Sequence, residues 1–295
     1  MLRPGRKFAD FTIERHLGRG STAMVYLAHH PQRRHPVALK ILDPRFYCGN
    51  AIRARFDHEA DLATRLVHPG IAAVYDHGDE DGLLWIAVQF VAGSTVSSSV
   101  GRLSPERAVA IVDAAADALD YAHALGALHG DVKPANIVLA RTATGARVVV
   151  TDFGIAGSGQ DCGYSTPSMV PASLNCASPE RLSGLPRDHR CDQYSLACTL
   201  FWLLTGSGPF AAKDRHTVID GHLRQPPPPP SQRRADLPRT LDPVLTKALT
   251  KRPYPRFGSC REFACAAGQA LRTAPAVPTN PRPQRSRGKK PTTRV

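Results

Sequence analysis

The sequence predicts an α+β fold of two lobes, a small β-rich N-terminal lobe with one main helix and a larger, mostly helical C-terminal lobe. Three observations predict it. Up to Val91 the apolar residues fall in short runs broken by turn residues, the pattern of strands, with one stretch of helical spacing among them. A polar, serine-rich connector follows Ala92-Gly93. Beyond it, apolar residues recur at helical spacing over long segments. A chain of 295 residues suits one large domain or two small lobes with ample core. The lobes are expected at 1–92 and 93–272, with a tail at 273–295.

Composition narrows the class. No apolar run reaches 18 residues, so no transmembrane segment is expected. Met1 to Asp10 is mixed and charged and lacks an apolar signal core, so the expected location is the cytoplasm. Net charge is +13, but the stretch from Thr273 to Val295 supplies six of those charges and contains no acid. That tail is rich in Pro, Thr, Arg and Lys and is expected to be disordered. It is either a solvated terminus or a contact for an acidic partner or membrane surface. The seven cysteines include no C-x-x-C pair, which fits reduced thiols better than a zinc site or a disulfide framework. Oligomeric state is not readable from these features.

Phe11 to Glu14 alternates like the start of a strand. Gly18 and Gly20 then lie between two β-prone runs and predict a flexible hairpin. This is either an ordinary turn or a place where backbone N–H groups approach phosphate oxygens unobstructed by side chains. A dinucleotide-binding turn is disfavoured because the strand-like run Met24 to Leu27 follows where a helix would be needed. Pro36 to Leu42 is a strand interrupted by Lys40, which either snorkels from an edge or serves a ligand. Ile52 to Leu66 reads as a helix, and Glu59 falls on or beside its apolar stripe. An unpaired carboxylate there is costly unless it turns to water or finds a cation. Ile71 to Tyr75 and Leu84 to Val91 read as strands joined by a turn within Asp79 to Gly82.

In the second lobe, Ser104-Pro105-Glu106 carries a capping serine, a first-turn proline and a first-turn acid, and so starts a helix that stops near Gly126. Strands at Ile137 to Leu139 and Arg147 to Thr151 flank a polar loop. Residues between Asp152 and Ser178 are rich in Gly, Ser and Thr, and hold Ser165, Thr166 and Ser168 as candidate phosphosites or as plain solvated hydroxyls. Cys162 and Cys176 are a remote candidate for a redox switch. Leu196 to Leu204 is an apolar helix closed by Gly206. Pro226 to Pro230 reads as a polyproline surface connector, or as a ligand for an aromatic groove.

The chemistry concentrates in His129-Gly130-Asp131-Val132-Lys133-Pro134-Ala135-Asn136, followed by Asp152-Phe153-Gly154. Such a loop gathers a carboxylate, an ammonium and a side-chain amide, with a second carboxylate on the next strand. These are the parts of a phosphoryl-transfer site. The segment resembles the catalytic loop H-R-D-x-x-x-x-N and the D-F-G motif of eukaryotic-type protein kinases, with Gly130 in place of arginine. Gly18 and Gly20, Lys40, Glu59, Glu180, Asp192 and Arg256 follow that family's order of parts, although Ala23 replaces the third glycine of its Gly-rich loop. Lys133 points to the serine/threonine subgroup, and the compact loops are most similar to bacterial members.

The resemblance implies a bilobal protein-kinase-like fold and transfer of the γ-phosphoryl of Mg-ATP to a Ser or Thr hydroxyl of a protein, with autophosphorylation. Protein substrates are the implied partners, and ATP with Mg2+, or Mn2+ in its place, the implied cofactors. It implies an ATP pocket from Leu17, Gly18, Gly20, Val25, Ala38, Lys40, Gln89, Val91 and Val138, with Val88 at its back and Glu59 orienting Lys40. Asp131 is the implied base and Lys133 the stabiliser of the transferring group, while Asn136 and Asp152 are the implied metal ligands. Ser173 is implied beside the catalytic pair, Glu180 paired with Arg256, and Asp192 on the catalytic-loop amides. In this family the arginine replaced by Gly130 binds a phosphorylated residue of the activation segment, so its loss predicts weakened phosphate control. The alternative is a pseudokinase or scaffold that binds nucleotide and partners without turnover. A small-molecule phosphotransferase of the same fold is a third reading, disfavoured by the segment ending in Ser178-Pro179-Glu180.

Overall fold

Short apolar runs with turns between them can bury one face only by pairing edge to edge, and in the N-terminal lobe they do so. A computed structural model describes residues 1–20, 22–45, 47, 49–143, 145–153 and 173–273. The strands β1 (Lys7–Phe8), β2 (Phe11–Arg19), β3 (Ala23–His29), β4 (Val37–Leu42), β5 (Val74–Glu80) and β6 (Leu83–Gln89) form an antiparallel sheet in the order β1-β2-β3-β4-β6-β5. β4 is buried along its whole length between β3 and β6, which explains its unbroken apolar run around Lys40. The helix α1 (Asn50–Thr64) lies against β5 and buries Phe56, Ala60 and Ala63.

One expected strand is displaced. Apolarity places it at Ile71 to Tyr75, but the strand runs from Val74 to Glu80. Asp81 and Gly82 both take positive φ, 53° and 81°, which builds a tight hairpin and fixes the register of β5 on β6. As the edge strand, β5 tolerates Asp76, His77 and Asp79. Ile71 instead makes a single parallel bridge to Val150.

A second sheet, β7 (Gly93–Thr95), β8 (Ile137–Thr142) and β9 (Gly145–Val150), presents the catalytic loop at the start of β8 and Asp152 just past β9. The helix α2 (Pro105–Ala124) begins at Ser104, whose Oγ accepts the Arg107 N–H. The short α3 (Pro179–Leu182) begins at Ser178 in the same way. The long α4 (His189–Thr205) starts well before the expected Leu196, because its polar first turns are buried with the rest. Gly206, at φ 91°, ends it in the left-handed conformation. The remaining helices are α5 (Arg215–Leu223), α6 (Pro230–Arg233), α7 (Leu241–Ala248) and α8 (Cys260–Arg272). The helix α2 packs on α4 and α8, and one hydrophobic cluster runs from Phe56 and Ile86 through Ile111 to Leu200 and Phe263. Truncating one of these side chains to Ala costs roughly 2–5 kcal/mol. No helix among the described residues is long and apolar enough to cross a membrane.

Candidate active site

The catalytic loop is held from beneath by Asp192, fully buried in the first turn of α4. Its Oδ2 accepts the His129 N–H and its Oδ1 the Gly130 N–H, both at 2.8 Å. His123 Nε2, near the end of α2, donates to the same Oδ2 at 2.8 Å. Burial opposes ionisation of Asp192, but His123 and the loop amides more than offset it and hold the carboxyl below its ordinary range. His129 Nδ1 accepts the Asp131 N–H at 3.2 Å, and its Nε2 donates to the Thr151 carbonyl at 2.8 Å. Its ring lies 4.6 Å from that of Phe153, so the loop is tied to the strand end that carries Asp152.

Asp131 is buried, yet its carboxylate is well partnered. Lys133 Nζ contacts Oδ2 and donates to Ser173 Oγ at 2.8 Å. Asn136 Nδ2 donates to the Asp131 carbonyl at 2.9 Å and lies 3.4 Å from Oδ2. A further cation was not anticipated from the sequence: Arg181 Nη1 donates to the Gly130 carbonyl at 2.5 Å and lies 3.3 Å from Asp131 Oδ1. No linear signal marks Arg181, because 50 residues separate it from Asp131.

Lys40 and Glu59 are not brought together. Lys40 Nζ contacts Asp152 Oδ1, while Glu59 Oε1 accepts from Arg55 Nε at 2.9 Å, one turn back on α1. The expected Lys40–Glu59 pair is not formed in this arrangement. A partner at i,i−4 is available to Glu59 without moving the helix toward the sheet. Burial raises the cost of charge on Asp152, but the Lys40 ammonium more than offsets it and lowers the pKa. Asp152 itself sits at φ 72°, unusual for a residue with a side chain.

The hairpin joining β2 to β3 contains Gly18, opposite Val25, and Gly20, whose N–H bonds the Ala23 carbonyl at 2.8 Å. Val25 faces Lys40 across β3 and β4, Ala38 faces Val88, and Val37 faces Gln89. Leu17 and Val25 pack against the main hydrophobic cluster. Val91 packs with Ala72, Ala140 and Val149, and Val138 is buried on β8. The Gln89 N–H bonds the Ala73 carbonyl at 2.7 Å. Gln89 and Val91 therefore lead from the first sheet to the second.

Glu180 and Arg256 form a buried bidentate pair at 2.7 and 2.9 Å. Burial pushes the Glu180 pKa up, but Arg256 more than offsets this and the carboxyl stays low. Removing one partner of such a pair costs roughly 3–5 kcal/mol. Ser165, Thr166, Ser168, Cys162 and the tail from 274 lie outside the described residues. Cys176 is buried and burial pushes its thiol pKa up to about 12, which leaves it unreactive at neutral pH.

The donor set suits a hard divalent cation. Asn136 commits its amide nitrogen to Asp131, so its amide oxygen is the ligand it has to offer, and Asp152 offers a carboxylate. Magnesium takes such oxygens, completed by water and phosphate.

Comparison with known proteins shows the family. Residues 11–267 match the protein kinase domain family. Serine/threonine-protein kinase PknJ of Mycobacterium tuberculosis is 44% identical over 290 residues, which cover 96% of this chain and 49% of PknJ. Serine/threonine-protein kinase PknF of the same organism is 44% identical over 278 residues, 92% of this chain and 58% of PknF. The chain thus spans about half the length of these curated relatives. The crystal structure of the Mycobacterium tuberculosis PknI kinase domain superposes with a TM-score of 0.76 at 40% identity, covering 92% of this chain and 100% of that one. The chain belongs to the protein kinase family, in its bacterial serine/threonine branch of eukaryotic type.

Proposed function

We propose that this chain transfers the γ-phosphoryl group of Mg-ATP to Ser or Thr hydroxyls of proteins, its own chain included. The observation that carries the reading is the convergence of Lys133 and Asn136 on Asp131, with Ser173 on Lys133 and Lys40 on Asp152 at the neighbouring strand end. In this reading ATP lies between the lobes, with its adenine near Gln89 to Val91 and its phosphates under the Gly18–Gly20 hairpin. Lys40 grips the α- and β-phosphates, and Glu59 orients it after exchanging Arg55 for Lys40. Asn136 and Asp152 hold Mg2+, or Mn2+, which supplies charge stabilisation to the phosphate oxygens when bound.

Asp131 orients the acceptor hydroxyl and takes its proton as the new O–P bond forms and the bond to the β,γ-bridging oxygen breaks. Lys133 stabilises charge on the transferring group. No enzyme-bound phosphoryl intermediate is needed, since positioning and electrostatics supply the rate. The lobes divide at 92/93, and the tail from 273 is a basic extension able to meet acidic partners or a membrane surface. The domain works in the cytoplasm, and Ser165, Thr166 and Ser168 are its candidate phosphosites. A scaffold without turnover is disfavoured, because base, metal ligands and phosphate-binding lysine are all present.

Mass-spectrometric mapping of autophosphorylation, beside an Asp131→Asn control, tests this reading. Wild type should label Ser and Thr, and the variant should lose at least about a hundredfold in rate. Equal labelling by the two would remove Asp131 as the base. No labelling by wild type that binds ATP would favour the scaffold.

A further inference from the structure

The loop position before the base carries no side chain. Gly130 sits at φ 75°, and a Cβ built there would meet nothing within 4 Å. A guanidinium nevertheless stands at this place, delivered by Arg181 from α3. It binds the Gly130 carbonyl at 2.5 Å and lies 3.3 Å from Asp131 Oδ1. The other carboxylate oxygen faces Lys133, so each oxygen of the base has a cation beside it. The side chains of Arg181 and Asp131 keep only 12% and 7% exposure, where a charge-assisted contact is weakly screened.

Arg181 is itself held rigidly. Its backbone N–H is capped by Ser178 Oγ at 3.4 Å. The preceding residue, Glu180, is locked to Arg256 by two hydrogen bonds. The planar guanidinium fork can meet a carbonyl and a carboxylate oxygen at once, so it fixes the direction of both.

We propose that Arg181 is a positioning residue for phosphoryl transfer. It orients the Asp131 carboxylate and the Gly130–Asp131 peptide, and it couples the seating of α3 to the base without any phosphate. This rests on the kinase reading above. The cation absent from position 130 is supplied from the far end of the segment that leads out of Asp152. In this chain the pairing of Glu180 with Arg256 and the alignment of Asp131 form one mechanical unit.

The test uses the full chain with Mg-ATP and casein as acceptor, comparing wild type, Arg181→Ala and Arg181→Lys. Arg181→Ala should lower kcat at least about tenfold, with KM for ATP within about twofold. Arg181→Lys should recover part of kcat. Hydrogen exchange supplies a readout independent of turnover: the amides of residues 130–132 should exchange at least about tenfold faster in Arg181→Ala, with α4 unchanged, and Lys should restore protection. Wild-type kcat in Arg181→Ala, unchanged exchange at 130–132, or faster exchange throughout the C-terminal lobe would each overturn the proposal. Nucleotide binding without transfer by wild type would overturn the kinase reading instead, and the exchange data would still decide the role of Arg181.

Discussion

Glu59 hydrogen-bonds Arg55 on its own helix, at 2.9 Å, while Lys40 contacts Asp152. Both members of the Arg55–Glu59 pair are partly exposed, and an i,i+4 pair of this kind is worth about 0.3–0.5 kcal/mol. A pair of this strength biases α1 and does not by itself lock it. Arg55→Gln should raise kcat/KM about twofold, and Glu59→Gln should lower it at least about tenfold by removing the proposed orienting partner of Lys40. Initial rates at subsaturating ATP check both. A slower Arg55→Gln would show that the arginine supports the site instead of restraining it.

Gly130 has a backbone reason to be glycine. At φ 75° any other residue is strained, and a Cβ there clashes with nothing, so the cost comes from the dihedral alone. Gly130→Ala should destabilise by about 1–2 kcal/mol, read as a fall of several degrees in Tm. Without an arginine at this position, phosphatase treatment of the purified protein should change turnover by less than about twofold. A many-fold response to phosphatase that Gly130→Arg leaves unaltered would contradict this.

His123 predicts a pH dependence of stability. Burial disfavours its charge, but the carboxylates of Asp120, 3.7 Å away, and Asp192, hydrogen-bonded at 2.8 Å, outweigh it and raise the pKa from 6.5 to about 9. The nearby Cys260 thiol is pushed far up by burial and stays protonated in this range. A group whose pKa is raised on folding stabilises fully below its unfolded value and loses that contribution as pH rises through its folded value. Wild-type Tm should therefore decline between about pH 7 and pH 9.5, by an amount equivalent to roughly 1–3 kcal/mol. His123→Gln should start lower at neutral pH and decline less. Parallel curves for the two proteins would exclude His123 as the cause.

The site was legible where its parts are close in sequence. Asp131, Lys133 and Asn136 lie within six residues, so their residue types and spacing carry the geometry almost unaided. Contacts decided by competition between distant and local partners were not legible. Glu59 could reach a lysine on another strand or an arginine one turn away, and the pattern of the helix ranks neither. Arg181 was hidden because its neighbour Glu180 already accounts for the motif, while the direction of the next side chain depends on how α3 seats. In the fold, apolarity points to a strand at Ile71 to Tyr75, whereas the turn places β5 later. Asp81 and Gly82 set the hairpin, and an edge strand does not require an apolar face.

The connection at Val150 bears on how the two lobes could move. The Ala72 N–H bonds the Val150 carbonyl at 2.9 Å, and the Val150 N–H bonds the Gly70 carbonyl at 2.8 Å, so the chain leaving α1 is stitched to β9 two residues before Asp152. Two residues span at most about 7 Å. A rocking of one lobe by roughly 10° about this stitch would carry Asp152 only about 1 Å along its arc. Asp152, the residue proposed to hold the metal, thus sits near the fulcrum, and the proposed nucleotide cleft could open while that side chain stays almost still.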